Sequence, residues 1–236
     1  MEKGDRELYT LLEIVSHELR SPLTSIKGFA STLVDKWERF DDATKRSLLD
    51  TINKDADRIT RLVGELLDLS RLEAGRLILN KKPVKPAAVA QRVVEHIADR
   101  APEHELKVEI DESIPDVLAD PDKVEQVLTN LVENAVKYTA GGTVTIASRR
   151  ATRGESNGLV EISVTDQGEG IPAPDRDQIF AKFFRRQEGL AKSKPGSGLG
   201  LYICRGLVEA QGGSIWVDDA QGGGAAFAFT LPAAAQ

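Results

Sequence analysis

The residues of this chain able to do chemistry fall in two clusters about 110 positions apart. The first is S-H-E-L-R-S-P-L-T-S-I-K-G at 16–28, where His17 is followed directly by Glu18. A neutral imidazole is a nucleophile, and a neighbouring carboxylate can take its proton or orient its ring. The second opens with N-L-V-E-N-A-V-K-Y-T at 130–139, continues with D-Q-G-E-G at 166–170 and closes with G-S-G-L-G-L at 196–201. Asn130 and Asn134 are four apart and share a helix face, with Lys137 three further on. Amide oxygens suit a hard cation such as Mg2+, and Lys137 can neutralise phosphate charge. Asp166 can accept a hydrogen bond from an adenine amino group, while Gly168 and Gly170 let backbone approach a ligand. Gly196, Gly198 and Gly200 precede a helix whose terminal N–H groups can hold a phosphate. Each piece alone is weak. D-x-G-x-G also makes an ordinary strand-end turn, and no Lys-Ser/Thr follows the glycines as in a Walker loop. Their order and spacing together suggest phosphoryl transfer to His17.

These residues need elements to position them. Apolar side chains at Leu8, Leu12, Val15, Leu19, Ile26, Phe29 and Leu33, with Pro22 filling one slot, step by four and three. That is a heptad seam, so residues 6–35 form a helix that packs on other helices. Residues 36–46 break the pattern and read as a turn. A second seam follows at Ile52, Ala56, Ile59, Val63 and Leu66, flanked by Leu62 and Leu69, and Gly75 and Arg76 end it. One such antiparallel hairpin has too little core to stand alone, so it is expected to dimerise into a four-helix bundle. His17 lies off the seam and should be exposed. Side chains at i and i+1 do not face each other on a helix, so help from Glu18 needs distortion. Pro22 crowds the carbonyl of Glu18 and is expected to kink or loosen the helix there. Ser21, Thr24, Gly28 and Ser31 continue the face of His17, and all are small. Another protein can approach such a face closely.

Beyond Arg76 the composition changes. R-L-I-L-N at 76–80 reads as a short strand, 86–100 as an amphipathic helix and 106–111 as an alternating strand. Asp120-Pro121 reads as a cap and first-turn proline for a helix reaching Tyr138. Strands follow at 143–150 and 159–166. A segment of mixed charge with Gly and Pro breakers spans 171–197. The helix 198–211 leads to strands at 214–218 and 225–231. Strands interleaved with helices give a layered α/β sandwich. The expected organisation is an α+β chain with a helical domain over 1–75 and an α/β domain over 76–236.

The 236 residues carry a net charge of −6, which argues against a nucleic-acid partner. One cysteine, Cys204, excludes an internal disulfide, suits a reducing compartment and lies in an apolar helical stretch as plain core. His96 is expected on a helix surface and His104 in a loop, and no residues have zinc spacing. No stretch of 18 apolar residues and no basic-apolar leader is present, so the chain is expected to be cytoplasmic and to make no membrane contact itself.

Taken together, the motifs resemble the catalytic core of bacterial two-component sensor histidine kinases. S-H-E-L-R-S-P-L resembles the H-box, N-L-V-E-N-A-V-K-Y the N-box, D-Q-G-E-G the G1 box, I-F-A-K-F-F-R the F-box and G-S-G-L-G-L the G2 box. The resemblance covers essentially the whole chain. It implies a homodimerising phosphotransfer hairpin followed by a Bergerat-type ATP-binding domain. It implies that ATP phosphorylates His17 with Glu18 as base. Asn134 would hold Mg2+ with Asn130 contributing. Lys137 and Tyr138 would line the phosphate and base region, and Asp166 would recognise adenine. Gly196, Gly198, Leu199, Gly200 and Leu201 would form the second glycine box, residues 171–197 a mobile lid, and Arg185 would reach the γ-phosphate. The phosphoryl group would pass to an Asp of a response-regulator receiver domain docked on Ser21, Thr24, Gly28 and Ser31. Ser21 stands where strong phosphatases of the family often carry Thr or Asn, so phosphatase activity is expected to be weak. The alternative reading is a Bergerat-type ATPase acting as an ATP-gated dimer clamp, against which the exposed His17 argues.

Overall fold

The computed structural model describes residues 3–151, 158–186 and 196–234. They form two compact units, Met1–Ser70 with Pro195–Ser197, and Arg71–Lys194 with Gly198–Gln236.

The first unit is a helical hairpin of α1 (Lys3–Lys36) and α2 (Asp42–Glu73). The turn between them is shorter than the sequence suggests. A single 3-10 turn, Trp37–Arg39, leads to Asp41, whose Oδ1 accepts from the Thr44 N–H at 2.8 Å. That is N-cap geometry, so helix resumes at Asp42 and residues 42–46 are helical rather than turn. The Thr44 side chain and then its backbone N–H hold the Asp41 carboxyl below its ordinary range. Lys45 Nζ lies 4.6 Å from the Trp37 ring centroid and closes the corner. The expected kink is not an interruption: α1 runs through Pro22 without a gap, and the proline is buried. One lost backbone bond is tolerated where the ring gains burial. At the other end, Gly75 N–H donates to Leu72 O at 3.0 Å and Arg76 N–H to Arg71 O at 2.9 Å. Gly75 has φ +60, so this is a Schellman cap that favours glycine.

The hairpin buries little. Among its described residues, Pro22, Leu33, Leu62, Asp68 and Leu69 are buried. Val15, Leu19, Ile26, Phe29, Ile52, Ile59 and Leu66 are half-buried, and Leu12 and Val63 are 54% and 45% exposed. Leu8 lies outside the described side chains.

The second unit is built on a five-stranded sheet. Its strands are β2 (His104–Ile110), β4 (Gly142–Arg150), β5 (Leu159–Thr165), β6 (Ile215–Asp219) and β7 (Ala225–Pro232), in the order β2-β4-β5-β7-β6. The β2–β4 pair is parallel and the other pairs are antiparallel. Alternation places Ile146, Val164, Phe227 and Val217 in one buried row across four strands. Helices α3 (Pro86–Ala98), α4 (Pro121–Tyr138) and α5 (Gly200–Ala210) pack on the sheet. Their inward side chains, among them Val93, Leu128, Leu131 and Leu207, are at most 1% exposed. Burial on this scale makes a complete core.

Several expectations shift. Residues 76–80 are not a strand. The strand is β1 (Lys82–Val84), and it pairs antiparallel with β3 (Val117–Ala119), which periodicity does not reveal. Asn80 N–H instead donates to Asp120 Oδ2 at 2.8 Å. Asp120 does cap α4, since its Oδ1 accepts from the N–H groups of Asp122 and Lys123. His104 is not in a loop but opens β2, and both ring nitrogens are buried without a hydrogen-bond partner among the described residues. His96 is exposed and Cys204 is buried. The last turn of α2 belongs to the second unit. Glu73 accepts from the Tyr202 hydroxyl and pairs with Lys182 Nζ at 2.9 Å, so the two units part about five residues before the expected boundary. No described helix is long and apolar enough to cross a membrane.

Candidate functional site

Helix α4 buries Val127, Leu128, Leu131 and Ala135, which turns Asn130 and Asn134 away from the core. Asn134 Nδ2 donates to Asn130 Oδ1 at 3.0 Å. The bond engages the Asn130 oxygen and leaves Asn134 Oδ1 as the better placed cation ligand. Gly200, at the start of α5, faces the Asn130 amide so closely that any Cβ there would collide with it. The asparagine pair and the second glycine box are therefore one packed unit. Lys137 and Tyr138 are half-buried, and Lys137 Nζ lies 4.9 Å from the Tyr138 ring centroid.

Asp166 follows β5 directly and is 7% exposed. Its Oδ1 accepts from Gly168 N–H at 2.8 Å and from Ala225 N–H at 3.2 Å. Oδ2 has no protein donor among the described residues, so a fixed carboxylate presents one open acceptor. A Cβ on Gly168 would approach Thr139 Oγ1 to 3.1 Å, and that hydroxyl is buried without a partner among the described residues. Gly170 has φ +71, and a Cβ there would press on the Gly224 carbonyl at 3.0 Å.

The cradle at α5 is fastened from the other side. Phe183 N–H donates to Gly198 O at 3.0 Å, and Gly198, with φ +71, lies against the Phe183 backbone. Phe183 itself has φ +63, an uncommon conformation for a bulky residue and a mark of local strain. Among the described residues no side chain caps the start of α5, and the N–H groups of Gly200 and Leu201 there are of the kind that can meet an anion. Gly196 is half-buried and Arg185 is exposed. Residues 173–186 are anchored through two 3-10 turns, Ala173–Asp175 and Gln178–Phe180, the second burying Ile179 and Phe180. Of the segment 171–197 expected to form a lid, residues 187–195 lie outside the described residues.

In the hairpin, His17 is exposed and Glu18 half-buried. No hydrogen bond joins them among the described residues. Glu18 Oε2 instead accepts from Arg58 Nη2 at 2.7 Å, across to α2. Ser21, Thr24, Gly28 and Ser31 are all exposed, and nothing lies within 4 Å of a Cβ placed on Gly28.

Two family models match this arrangement. The His Kinase A (phospho-acceptor) domain matches residues 7–75, and the histidine kinase-, DNA gyrase B-, and HSP90-like ATPase matches residues 119–235. The chain belongs to the sensor histidine kinases. It is 36% identical over 237 residues to the sensor histidine kinase WalK of Bacillus subtilis, covering 98% of this chain and 38% of WalK. A crystal structure of full-length ShkA in complex with AMPPNP superposes with a TM-score of 0.68 at 31% identity, over 96% of this chain and 46% of that one. The histidine kinase ThkA, solved with the response regulator protein TrrA, gives a TM-score of 0.65 at 28% identity, over 98% of this chain and 64% of that one. The chain thus spans less than half of WalK and of ShkA.

Three residues of this kinase core escape its sequence motifs. Arg58 meets Glu18 from 40 positions away, and its only signal is a helical face shared with the seam. Gly224 underlies Asp166 and Gly170; its signal is the run of three glycines at 222–224, which reads as an ordinary turn. Arg186 follows the F-box arginine and is hidden by it.

Proposed function

We propose that this chain is the catalytic core of an ATP-dependent protein-histidine kinase that phosphorylates itself on His17 and passes the group to an Asp of a response regulator. The observation that carries the nucleotide half is Asp166: two backbone N–H groups fix one oxygen, and the other is left to accept from an adenine amino group. Asn134 Oδ1 would hold Mg2+, with Asn130 orienting it, and the cation would neutralise charge on the transferring phosphates. The N–H groups at the start of α5, with Lys137 and Arg185, would hold the phosphate chain. The neutral His17 ring forms a nitrogen–phosphorus bond as the bond from the γ-phosphorus to the ADP oxygen breaks. Its other nitrogen loses a proton to Glu18, which must first turn from Arg58. The phosphoryl group then passes to a receiver carboxylate, with which the exposed small face from Ser21 to Ser31 is compatible.

The half-buried seam supports a homodimer, the helical unit being the dimerising and phosphotransfer part and the α/β unit the ATP-binding part. A cytoplasmic setting fits the ATP requirement and the single buried cysteine. Ser21 carries a hydroxyl without the methyl that restricts χ1 in threonine, so phosphatase activity is proposed to be weak.

The test is incubation with γ-labelled ATP and Mg2+. The label should be acid-labile and alkali-stable, as a phosphoramidate is, and should vanish in His17→Ala while ATP binding persists. Asn134→Ala should lose Mg-ATP affinity and keep the dimer. A stable histidine adduct on His17→Ala would show that the acceptor is another residue. For the partner surface, Gly28→Arg should leave autophosphorylation normal and sharply reduce transfer to the receiver domain. Unaltered transfer would move the docking surface elsewhere.

A further inference from the structure

The chain carries two consecutive arginines at the end of the F-box, and the structure gives them different surroundings. Arg185 is exposed. Arg186 turns inward: its Nε lies 3.2 Å from Asp175 Oδ2, its Nη1 donates to Gly170 O at 3.4 Å, and its side chain is 17% exposed. Gly170 is the last residue of D-Q-G-E-G and carries the positive φ that turns the loop beside Asp166. Asp175 closes the short 3-10 turn that follows. One guanidinium therefore ties the residue that opens the 187–195 segment to both ends of the 170–175 loop.

We infer that Arg186 is a positioning residue for nucleotide binding, acting on the base-recognition loop rather than on phosphate. This rests on the ATP reading of the site. Three features favour the loop. The planar fork of arginine can serve a carboxylate and a carbonyl at once, which lysine cannot match. The Gly170 carbonyl lies outside the strands, and among the described residues Arg186 is the donor that reaches it. The neighbouring stretch has its own tether, since Arg176 Nε donates to Ile171 O at 3.0 Å and Nη2 reaches Asp219 Oδ1. Loss of Arg186 should therefore loosen the turn at Gly170 without unfolding the loop.

The experiment separates base from phosphate. Adenosine and Mg-ATP affinities are measured on the full chain, by displacement of a fluorescent ATP analogue, for wild type, Arg186→Gln, Arg186→Lys and Asp175→Asn. Arg186→Gln should weaken adenosine and ATP by the same factor, about five- to tenfold for one charge-assisted contact set that is partly exposed. Asp175→Asn should weaken both by less, and Arg186→Lys should recover part of the loss. At saturating Mg-ATP, Arg186→Gln should phosphorylate His17 at the wild-type rate with a raised KM, whereas a misfolded fraction would lower the rate and leave KM alone. Weakened ATP with unchanged adenosine would make Arg186 a phosphate ligand and overturn the inference. Unchanged affinity for both would overturn it as well. Wild type that binds neither ligand nor analogue would overturn the ATP reading itself, and this assignment with it.

Discussion

The two units of this chain solve the problem of burial differently. The α/β unit takes Leu128, Leu131, Leu207, Ile162 and Phe229 almost wholly out of water with its own strands and helices. The hairpin is long, with helices of 34 and 32 residues, yet it leaves Leu12 and Val63 about half in solvent and most of its seam half-covered. Apolar surface left along a regular helical stripe is unspent driving force for association. One unit is finished by its own sequence; the other leaves a stripe that the proposed homodimer would cover.

That contrast can be broken by mutation, and the largest effect should come from the finished core. Leu128→Ala should destabilise the α/β unit by about 2–5 kcal/mol, because a fully buried Leu leaves a cavity that rigid neighbours cannot fill. Chemical denaturation should show this loss at every protein concentration. A midpoint that moved with concentration would mean that this unit also depends on assembly. Val63→Glu should act in the opposite manner, placing a charge where a partner helix is expected. Light scattering at micromolar concentration should then report monomers, with ATP affinity unchanged. A persisting dimer would show that the seam is not the interface. The smallest effect belongs to Arg58→Ala. The Arg58–Glu18 pair is partly exposed, with side-chain accessibilities of 33% and 12%, so its loss should cost the hairpin about 1 kcal/mol or less. A loss several times larger would mean that the hairpin is held by this ion pair more than by its seam.

The sequence announced those elements whose signals are local. Asp120-Pro121 cap and open α4 as their chemistry requires, and Gly75 ends α2 through a positive φ. Asn130, Asn134 and Lys137 lie in one helical stretch, so their shared face could be read directly. Short strands were lost because three residues carry no period: Lys82–Val84 and Val117–Ala119 exist only through each other. R-L-I-L-N looks like a strand because it is a short apolar run bounded by polar residues, yet Ile78 is 90% exposed in irregular chain. D-D-A-T at 41–44 falls in the stretch that reads as turn, although an aspartate before a helix is also a cap. Several of the hidden contacts around the site span long separations. Glu18 finds Arg58, Gly168 finds Thr139, and Asp166 finds Ala225 only after the chain has folded.

The turn joining β6 and β7 shows what such hidden contacts mean in practice. Ala220 N–H donates to Gly224 O and Gly223 N–H to Ala220 O, which makes an ordinary-looking hairpin tip of glycines. Tips of this kind are where epitope tags and fluorescent reporters are usually spliced, because small polar turns tolerate inserted chain. Here the same turn passes a glycine beneath the Asp166 carbonyl with no room for a Cβ, and hands the next N–H to the Asp166 carboxylate. A reporter grafted between Gly222 and Gly224 would therefore be no silent label; it would be wired directly to the carboxylate proposed to read the base.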